Sequence, residues 1–479
     1  MVTSTTESVE SHSIDVIPAE ERYGRPWQLA PFWFAANQQF LTVVTGVLAV
    51  VLGLNLFWAV VAIVLGNLLG TVFMAYHSAQ GPTLGVTQMI QSRGQFGFYG
   101  AFFLFVGAFF LQFGFYASAT ALSGDALNTL YRGISVPAGI VIIAIPTLAL
   151  AVLGYRWLHA WQRWASMVLF VVFVIVTVQT AVVAARIGLP AHSFSTAAPN
   201  WGTFLAVVSV SATYAITWAP FVSDYSRYLP KESSVRSCFG WTYLGTVVSC
   251  VWLEILGSVT VVLYPKLSTA AALDKISGAW LLVILAISMI GAATTNLYSG
   301  MVALATAAST WWTPRRSAAV RVVGVGITFV AGFVIALTGY SSFLENFTNF
   351  LLVLAFIFIP WTAVNLADFY IVRRGQYDSR SFFTPKGIYG GWAWQALLAY
   401  FVGLLMQIPF IDQAFFVGPL VASLGGADIS WIVGIVVPGG LYVLLAQRWP
   451  PVGVEILGAV AESGVPSGSF APPAPEVAP

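Results

Sequence analysis

Twelve long apolar runs constrain the fold of this chain more than any other feature of its sequence. A helix needs about 20 apolar residues to cross a bilayer. Of the 479 residues, 58% are hydrophobic and 8% are charged, whereas about 25% of residues are charged in a soluble protein. The sequence therefore predicts an all-α polytopic membrane protein. Its twelve transmembrane helices are expected at 30–52, 56–77, 99–123, 135–153, 165–188, 203–222, 238–265, 278–309, 318–338, 343–371, 392–412 and 428–448.

Basic residues fall mainly on one side of these predicted helices. Sixteen of the twenty lysines and arginines lie in the amino-terminal tail, the even-numbered loops and the start of the carboxyl-terminal tail. Because basic loops stay cytoplasmic, both termini are expected in the cytoplasm and the protein in the cytoplasmic (inner) membrane. The net charge of +2 and the lack of a basic stripe argue against a nucleic-acid partner. No catalytic cluster and no obligate protein partner are implied.

Two predicted helices contain features that interrupt a helix. Asn37, Gln38 and Gln39 are three consecutive amides within the first apolar run, and Pro220 lies in the sixth. The amides could be hydrogen-bonding glue between helices. Alternatively, they mark a break that faces a ligand, because unwound backbone survives at membrane depth only where it is buried in protein or lines a cavity. Breaks at corresponding places in two halves of a chain are typical of transporter sites.

The eighth predicted helix carries a polar stripe. Thr294 and Thr295 are adjacent, Gly291 lies one turn earlier, and Asn296 and Ser299 continue the stripe at helical spacing. Hydroxyl and carbonyl oxygens suit a hard cation. However, threonines in membrane helices also donate back to the carbonyls of the preceding turn.

Charged residues near or within the membrane are candidates for coupling or gating. Glu254 lies in the middle of the seventh apolar run, where a carboxylate is a functional hypothesis by default. Asp224 with Arg227, and Asp368 with Arg373, lie at the cytoplasmic ends of the sixth and tenth runs. These pairs either join the inner gate as ion pairs or serve as solvated topogenic charges.

Five strings resemble the nucleobase–cation symporter family, in its purine–cytosine permease branch. They are WFAANQQF, QSRGQFGFYGA, SDYSRYLP, TTNLYSG and NLADFYIVRRGQYD. The resemblance implies a LeuT-type inverted repeat of two five-helix halves, followed by two helices. The expected domains are a cytoplasmic tail at 1–25, repeats at 26–190 and 191–375, the last two helices at 376–448, and a disordered cytoplasmic tail at 449–479.

The family resemblance also implies a binding site. Sodium would be held by the carbonyls of Asn37, Phe40 and Gly291 and by the hydroxyls of Thr294 and Thr295. The substrate would stack on Phe115. Ala119 stands where the family usually has an amide, and Ala215 stands near the place of its second aromatic ring, so Tyr214 or Trp218 must supply that ring. Gln38, Gln39, Asn296 and Ser299 are expected to read the polar edge of the substrate.

These features together predict a symporter. It would import a nucleobase or related N-heterocycle with a cation by alternating access; sodium is favoured over a proton, and no other cofactor is implied. The alternative is a proton-coupled permease for allantoin, hydantoin or a thiamine-related pyrimidine. A channel would need polar residues along a whole pore, whereas those in this sequence cluster near mid-span.

Overall fold

Helices make up most of the chain that the structure, a computed structural model, describes, which is residues 15–153, 155–312, 318–413 and 415–454. The side chains of residues 153, 155–164 and 318 are not described. The α-helices are α1 Leu29–Ala36, α2 Phe40–Val51, α3 Leu56–Ser78, α4 Gly81–Leu84, α5 Gln88–Phe96, α6 Phe102–Leu130, α7 Val136–Leu153, α8 Tyr155–Ile187, α9 Trp201–Ile216, α10 Val222–Ser226, α11 Val235–Leu263, α12 Thr269–Ser277, α13 Ala279–Ala308, α14 Ala318–Gly339, α15 Phe343–Ala367, α16 Trp394–Gln407 and α17 Ser430–Arg448. Two short antiparallel strands, β1 Asp412–Gln413 and β2 Phe416–Val417, pair Asp412 with Val417.

Each predicted membrane span coincides with a helix or with an interrupted pair of helices. In the described residues, eight segments are long and apolar enough to cross a bilayer, and the bent pair of α1 and α2 makes a ninth. The segment Ala319–Val372 contains two of the predicted spans, α14 and α15, separated by the 3₁₀ turn Tyr340–Ser342. The apolar helices α7 and α16 are shorter. The all-α polytopic prediction is confirmed, and the architecture is compatible with twelve spans.

Helix packing relates the first five spans to the second five. The third and eighth spans, α6 and α13, form the most extensive helix contact among the described residues. The second span packs against α9, the first half of the sixth, and the seventh span packs against both halves of the first, α1 and α2. These two contacts exchange when each span number is shifted by five, as an inverted repeat requires. The proposed repeat limits at 190 and 375 remain predictions.

The segment that precedes α1 packs against the protein. Ile17 is buried, and its N–H donates to the carbonyl of Gly85 at 2.8 Å. The side chain of Arg22 donates to the carbonyls of Ile17 and Pro82. The described part of the predicted tail at 1–25 is therefore held against the turn that follows α4. Residues 1–14 and 455–479 lie outside the described ranges, so the disorder expected at 449–479 stays a prediction.

Glycines bring the half-helix α2 into backbone contact with α11. A Cβ on Gly46 would lie 1.8 Å from the carbonyl oxygen of Glu254, and one on Gly257 would lie 1.9 Å from that of Val43. A similar contact joins α3 to α9, where a Cβ on Gly70 would lie 2.2 Å from the Ala212 carbonyl oxygen. Small residues permit such close approach between membrane helices. The seventh span thus holds the second half of the first span, and the second span holds the first half of the sixth.

We expect Gly257→Ala to lower the thermal stability of the purified protein in detergent. The added methyl group has no space against α2, and overpacking of this kind costs about 1–3 kcal/mol. The matched control is Gly240→Ala on the same helix, where a Cβ meets nothing within 4 Å. The control should match or exceed the parent, because alanine favours a helix over glycine by about 1 kcal/mol. Equal melting temperatures for the two variants would contradict the proposed contact.

Candidate functional site

The first span is interrupted at its three consecutive amides. Helix α1 ends at Ala36, α2 begins at Phe40, and the two axes are bent by 66°. The carbonyls at the end of a helix lack intrahelical partners. Here the side-chain amide of Asn37 donates to the Trp33 carbonyl at 2.8 Å, and that of Gln39 donates to the Ala36 carbonyl at 2.6 Å. The predicted break is confirmed, and two of its amides donate to carbonyls at the end of α1.

The sixth span is interrupted at the matching place. Helix α9 ends at Ile216, and the 3₁₀ turn Ala219–Phe221, which contains Pro220, separates it from α10. The indole N–H of Trp218 donates to Oδ1 of Asn37 at 3.0 Å. This hydrogen bond joins the two interruptions, so the unwound segments of the first and sixth spans are held side by side.

A cavity of about 550 Å³ lies beside the two interruptions, between α1, α6, α9, α10, α13 and the part of α8 that begins at Ala165. This volume falls within the usual range of small-molecule sites, about 300–1,000 Å³. The cavity gathers nine of the predicted substrate and cation residues: Gln38, Gln39, Phe115, Tyr214, Trp218, Gly291, Thr295, Asn296 and Ser299.

The polar stripe on α13 faces this cavity. Gly291, Thr295 and Ser299 line it together with Asn296, and Ser288 extends the stripe by one turn. Residues three or four apart share one face of a helix. Aromatic rings also line the cavity, among them Phe115 of α6, which packs edge-on against Phe350 with ring centroids 5.2 Å apart. The cavity therefore pairs a polar wall with aromatic rings.

The cavity is closed at one end and extends toward the other. At the closed end the hydroxyls of Tyr214 and Thr42 are 2.7 Å apart, which joins α9 to α2. The cavity continues between α1 and α10, where Phe32 and Tyr225 line it and Phe32 is 39% exposed. The cavity lining therefore reaches the protein surface at the end of the molecule at which the chain enters α1.

The five predicted cation ligands are not all brought to the cavity. Gly291 and Thr295 line it, but Asn37, Phe40 and Thr294 do not. The Thr294 hydroxyl donates to the Ile290 carbonyl at 2.7 Å, and the Thr295 hydroxyl donates to the Gly291 carbonyl at 2.9 Å. Both threonines thus make the bond to the preceding turn that the sequence left open as an alternative.

Two of the predicted substrate residues lie elsewhere. Ala119 and Ala215 are buried among helices and do not line the cavity. Gln112, which sequence reasoning missed, does line the cavity. Its Oε1 is buried without a hydrogen-bond partner. Because Gln112 precedes Phe115 by three residues, the helical spacing could have identified it.

The candidate coupling and gating residues lie away from the cavity. Glu254 is buried between helices, and the Asp224 carboxylate accepts a 2.8 Å hydrogen bond from the N–H of Gln88 at the start of α5. Arg227 is buried against the ring of Tyr228. A gating role for these residues remains a prediction.

Asp368 and Arg373 form a buried ion pair beyond the end of α15. The Nε of Arg373 lies 3.2 Å from Oδ2 of Asp368, and the hydroxyls of Tyr377 and Tyr442 also donate to that carboxylate. Burial alone would lower the pKa of Arg373, but its neighbours, with the Asp368 carboxylate first among them, together raise that pKa. The pair joins α15 to α17 and the loop that follows α15.

Solved structures share this fold. Mhp1, a nucleobase-cation-symport-1 family transporter, is 17% identical in its inward-facing conformation, with a TM-score of 0.72 over 96% of this chain and 98% of Mhp1. In its closed conformation with bromovinylhydantoin bound, Mhp1 is 19% identical, with a TM-score of 0.70 over 92% of this chain and 97% of Mhp1. The LeuT-type arrangement expected from the sequence is thereby confirmed.

Sequence comparison identifies the family. YxlA of Bacillus subtilis (strain 168), a candidate purine-cytosine permease, is 38% identical over 447 residues, covering 92% of this chain and 96% of YxlA. The purine-cytosine permease fcyB of Emericella nidulans is 27% identical over 475 residues, covering 91% of this chain and 88% of fcyB. A profile of permeases for cytosine/purines, uracil, thiamine and allantoin matches residues 16–434. The chain thus belongs to this permease family and is a multi-pass membrane transporter, not an enzyme.

Proposed function

We propose that the protein imports a nucleobase of the cytosine or purine type together with sodium across the cytoplasmic membrane. The observation that carries this proposal is the cavity beside the two helix interruptions, which is lined by aromatic rings and by the amides of Gln38, Gln39, Gln112 and Asn296. A planar base has two apolar faces and an edge of hydrogen-bond donors and acceptors. The lining matches both kinds of surface.

The aromatic rings suit a stacked base. Phe115 and Tyr214 are 6.5 Å apart but inclined by 72°, and the Tyr214 hydroxyl is held by Thr42, so these two rings do not sandwich a flat molecule. In the described part of the chain, no ring contact joins Phe115 to Trp218, although both line the cavity. We therefore place the base between Phe115 and Trp218.

The amides suit the edge of the base. Oε1 of Gln112 and Oε1 of Gln38 are buried without hydrogen-bond partners. A buried acceptor without a partner costs about 1–3 kcal/mol. A bound base whose N–H groups face these oxygens would remove that cost, and amides discriminate bases by such paired contacts.

Sodium would bind where α13 faces the interruption of the first span. The Thr295 hydroxyl donates its hydrogen to the Gly291 carbonyl, and the oxygen of a hydroxyl group is also an acceptor that suits a cation. Gly291 also lines the cavity. In this proposal, the carbonyls of Asn37 and Phe40 and the hydroxyl of Thr294 complete the ligand set when the first span moves toward α13.

The direction of access gives the transport mechanism. The cavity is reached from the end at which the chain enters α1, and the positive-inside bias places that end in the cytoplasm. The conformation is then inward-facing, with both termini cytoplasmic. Rocking of the interrupted spans against α6 and α13 would open the cavity to the other side.

A second candidate substrate is a hydantoin. It is favoured by the fold shared with Mhp1, whose structure contains bromovinylhydantoin. A hydantoin is also planar with an edge of N–H and C=O groups. The competition assay therefore includes a hydantoin.

Sodium coupling is tested by uptake into proteoliposomes. We expect an inward sodium gradient to drive accumulation of labelled cytosine or hypoxanthine, and collapse of that gradient to abolish accumulation.

Thr295→Ala should raise the sodium concentration for half-maximal uptake about tenfold, because a hydrogen bond or contact to a charged group is worth about 1.5–3 kcal/mol. Thr306→Ala is the matched control, since its hydroxyl makes the same bond to the preceding turn of α13 away from the cavity. Accumulation independent of sodium would reject the proposal.

Stacking is tested by truncating the rings. Phe115→Ala and Trp218→Ala should each weaken equilibrium binding of the base by about 1–3 kcal/mol. Phe115→Trp should be milder, because it keeps an aromatic face. Phe103→Ala removes a ring of the same helix that is 45% exposed, and it should leave affinity unchanged. If the alanine and tryptophan variants of Phe115 lose affinity equally, that residue has a packing role instead.

Edge recognition is tested by changing an amide to leucine. Gln112→Leu should alter the ranking among cytosine, hypoxanthine, guanine and hydantoin, because the penalty of about 1–3 kcal/mol for an unpaired edge depends on the donor pattern of each molecule. Gln407→Leu is the control, since that amide donates to the carbonyls of Phe356 and Gly403 outside the cavity. Competition binding gives the ranking. An unchanged ranking for Gln112→Leu would place the substrate edge elsewhere.

A further inference from the structure

Glu254 is a buried carboxyl group with half of its hydrogen-bonding capacity unused. The residue is fully buried in the middle of α11. The Ser211 hydroxyl donates to its Oε2 at 2.7 Å, whereas Oε1 has no partner. No lysine, arginine or histidine of the described residues pairs with it. Burying an unpaired carboxylate is so costly that the group normally becomes neutral by binding a proton.

Four helices meet at Glu254. Helix α2 contributes the backbone contact at Gly46, α9 contributes Ser211, and α3 contributes Asn67, whose side chain faces the carboxyl group. The Oδ1 of Asn67 is also buried without a partner. The nearby titratable groups are Cys250, on the preceding turn of α11, and Tyr214 on α9; α2 and α3 present none to it. Neither of these two groups supplies a positive charge.

We propose that Glu254 is a proton-binding site of the transport cycle, distinct from the cation site at α13. The inference rests on the transport function proposed above. Glu254 and Asn67 each have an oxygen without a partner, and this pair suits a proton. The proton would bind to the Glu254 carboxylate and face the Asn67 oxygen as its hydrogen-bond acceptor. A metal cation would need several more oxygen ligands. In one step of the cycle a proton from water forms an O–H bond with the carboxylate, and in another it returns to water.

Helix α9 connects this carboxyl group to the hydrogen bonds at the closed end of the transport cavity. Ser211 lies one turn before Tyr214 on α9, and the Tyr214 hydroxyl is 2.7 Å from that of Thr42. The Thr42 hydroxyl in turn donates to the Asn37 carbonyl at 2.7 Å, within the interruption of the first span. Because Ser211 and Tyr214 lie one turn apart on α9, a change at the closed end of the cavity reaches the surroundings of Glu254 through that turn. Proton occupancy is therefore tied to the conformation of the transporter.

The first test needs no substrate. Infrared spectra of the purified parent and of Glu254→Gln are compared at neutral and high pH. We expect the parent to show a protonated carboxyl C=O band at neutral pH that is lost in Glu254→Gln and retained in Glu345→Gln, a control that alters an exposed carboxylate of α15. Identical spectra for the parent and Glu254→Gln would overturn the proposal, whatever the outcome of the sodium experiment.

The second test measures transport. Uptake of the base identified by the binding panel is recorded at a series of external pH values under an inward sodium gradient. A pH-sensitive dye trapped inside the proteoliposomes reports proton movement. Glu254→Gln should keep sodium dependence but lose the pH dependence and the substrate-linked proton movement. Ser211→Ala, which removes the hydroxyl that supports the ionised form, should move the midpoint of the pH profile to higher pH. Parental pH profiles and proton movement in both variants, or in Ser211→Ala alone if Glu254→Gln does not fold, would overturn the proposal.

Discussion

The hydrogen bond between Trp218 and Asn37 joins the two places where the membrane helices are unwound. Backbone groups freed at membrane depth need partners. The first span meets this need with its own amides, since Asn37 and Gln39 each donate to a carbonyl at the end of α1. Asn37 thus has two tasks, capping α1 and accepting the indole of the sixth span. The position and lining of the cavity depend on this arrangement.

Close helix packing holds the remaining halves of the interrupted spans. Helix α2 lies against α11 at Gly46 and Gly257, and α9 lies against α3 at Gly70, with backbone in contact with backbone. Such contacts leave little space for sliding. The ends of α1 and α10 instead line the accessible part of the cavity through Phe32 and Tyr225. The molecule is therefore tightly packed at one end, and the cavity lining reaches the protein surface at the other.

Much of the fold follows from local features of the sequence, which do not depend on how the helices pack against one another. The twelve apolar runs, the amides at Asn37–Gln39 and Pro220 each have a direct physical consequence, so spans and interruptions could be predicted from sequence. The helical spacing of Gly291, Thr295 and Ser299 likewise predicted one polar face on α13, and that face lines the cavity.

The details of the site depend on how helices are rotated against one another, which no single run of sequence specifies. Ala119 and Ala215 were placed in the site by family resemblance but lie behind its wall, whereas Gln112 faces the cavity. The threonine pair was similarly ambiguous, since both hydroxyls bond back to their own helix while Thr295 also lines the cavity. Only the packing of α6 against α13 decides which atoms a ligand can reach.

Thermodynamic linkage between sodium and substrate tests the central claim most directly. Substrate affinity of the purified protein is measured in sodium and in choline, and sodium affinity is measured with and without substrate. If both ligands bind at the cavity beside the interruptions, each should raise the affinity of the other by the same factor, corresponding to about 1–3 kcal/mol. Substrate affinity that is identical in sodium and in choline would contradict a coupled site at this cavity.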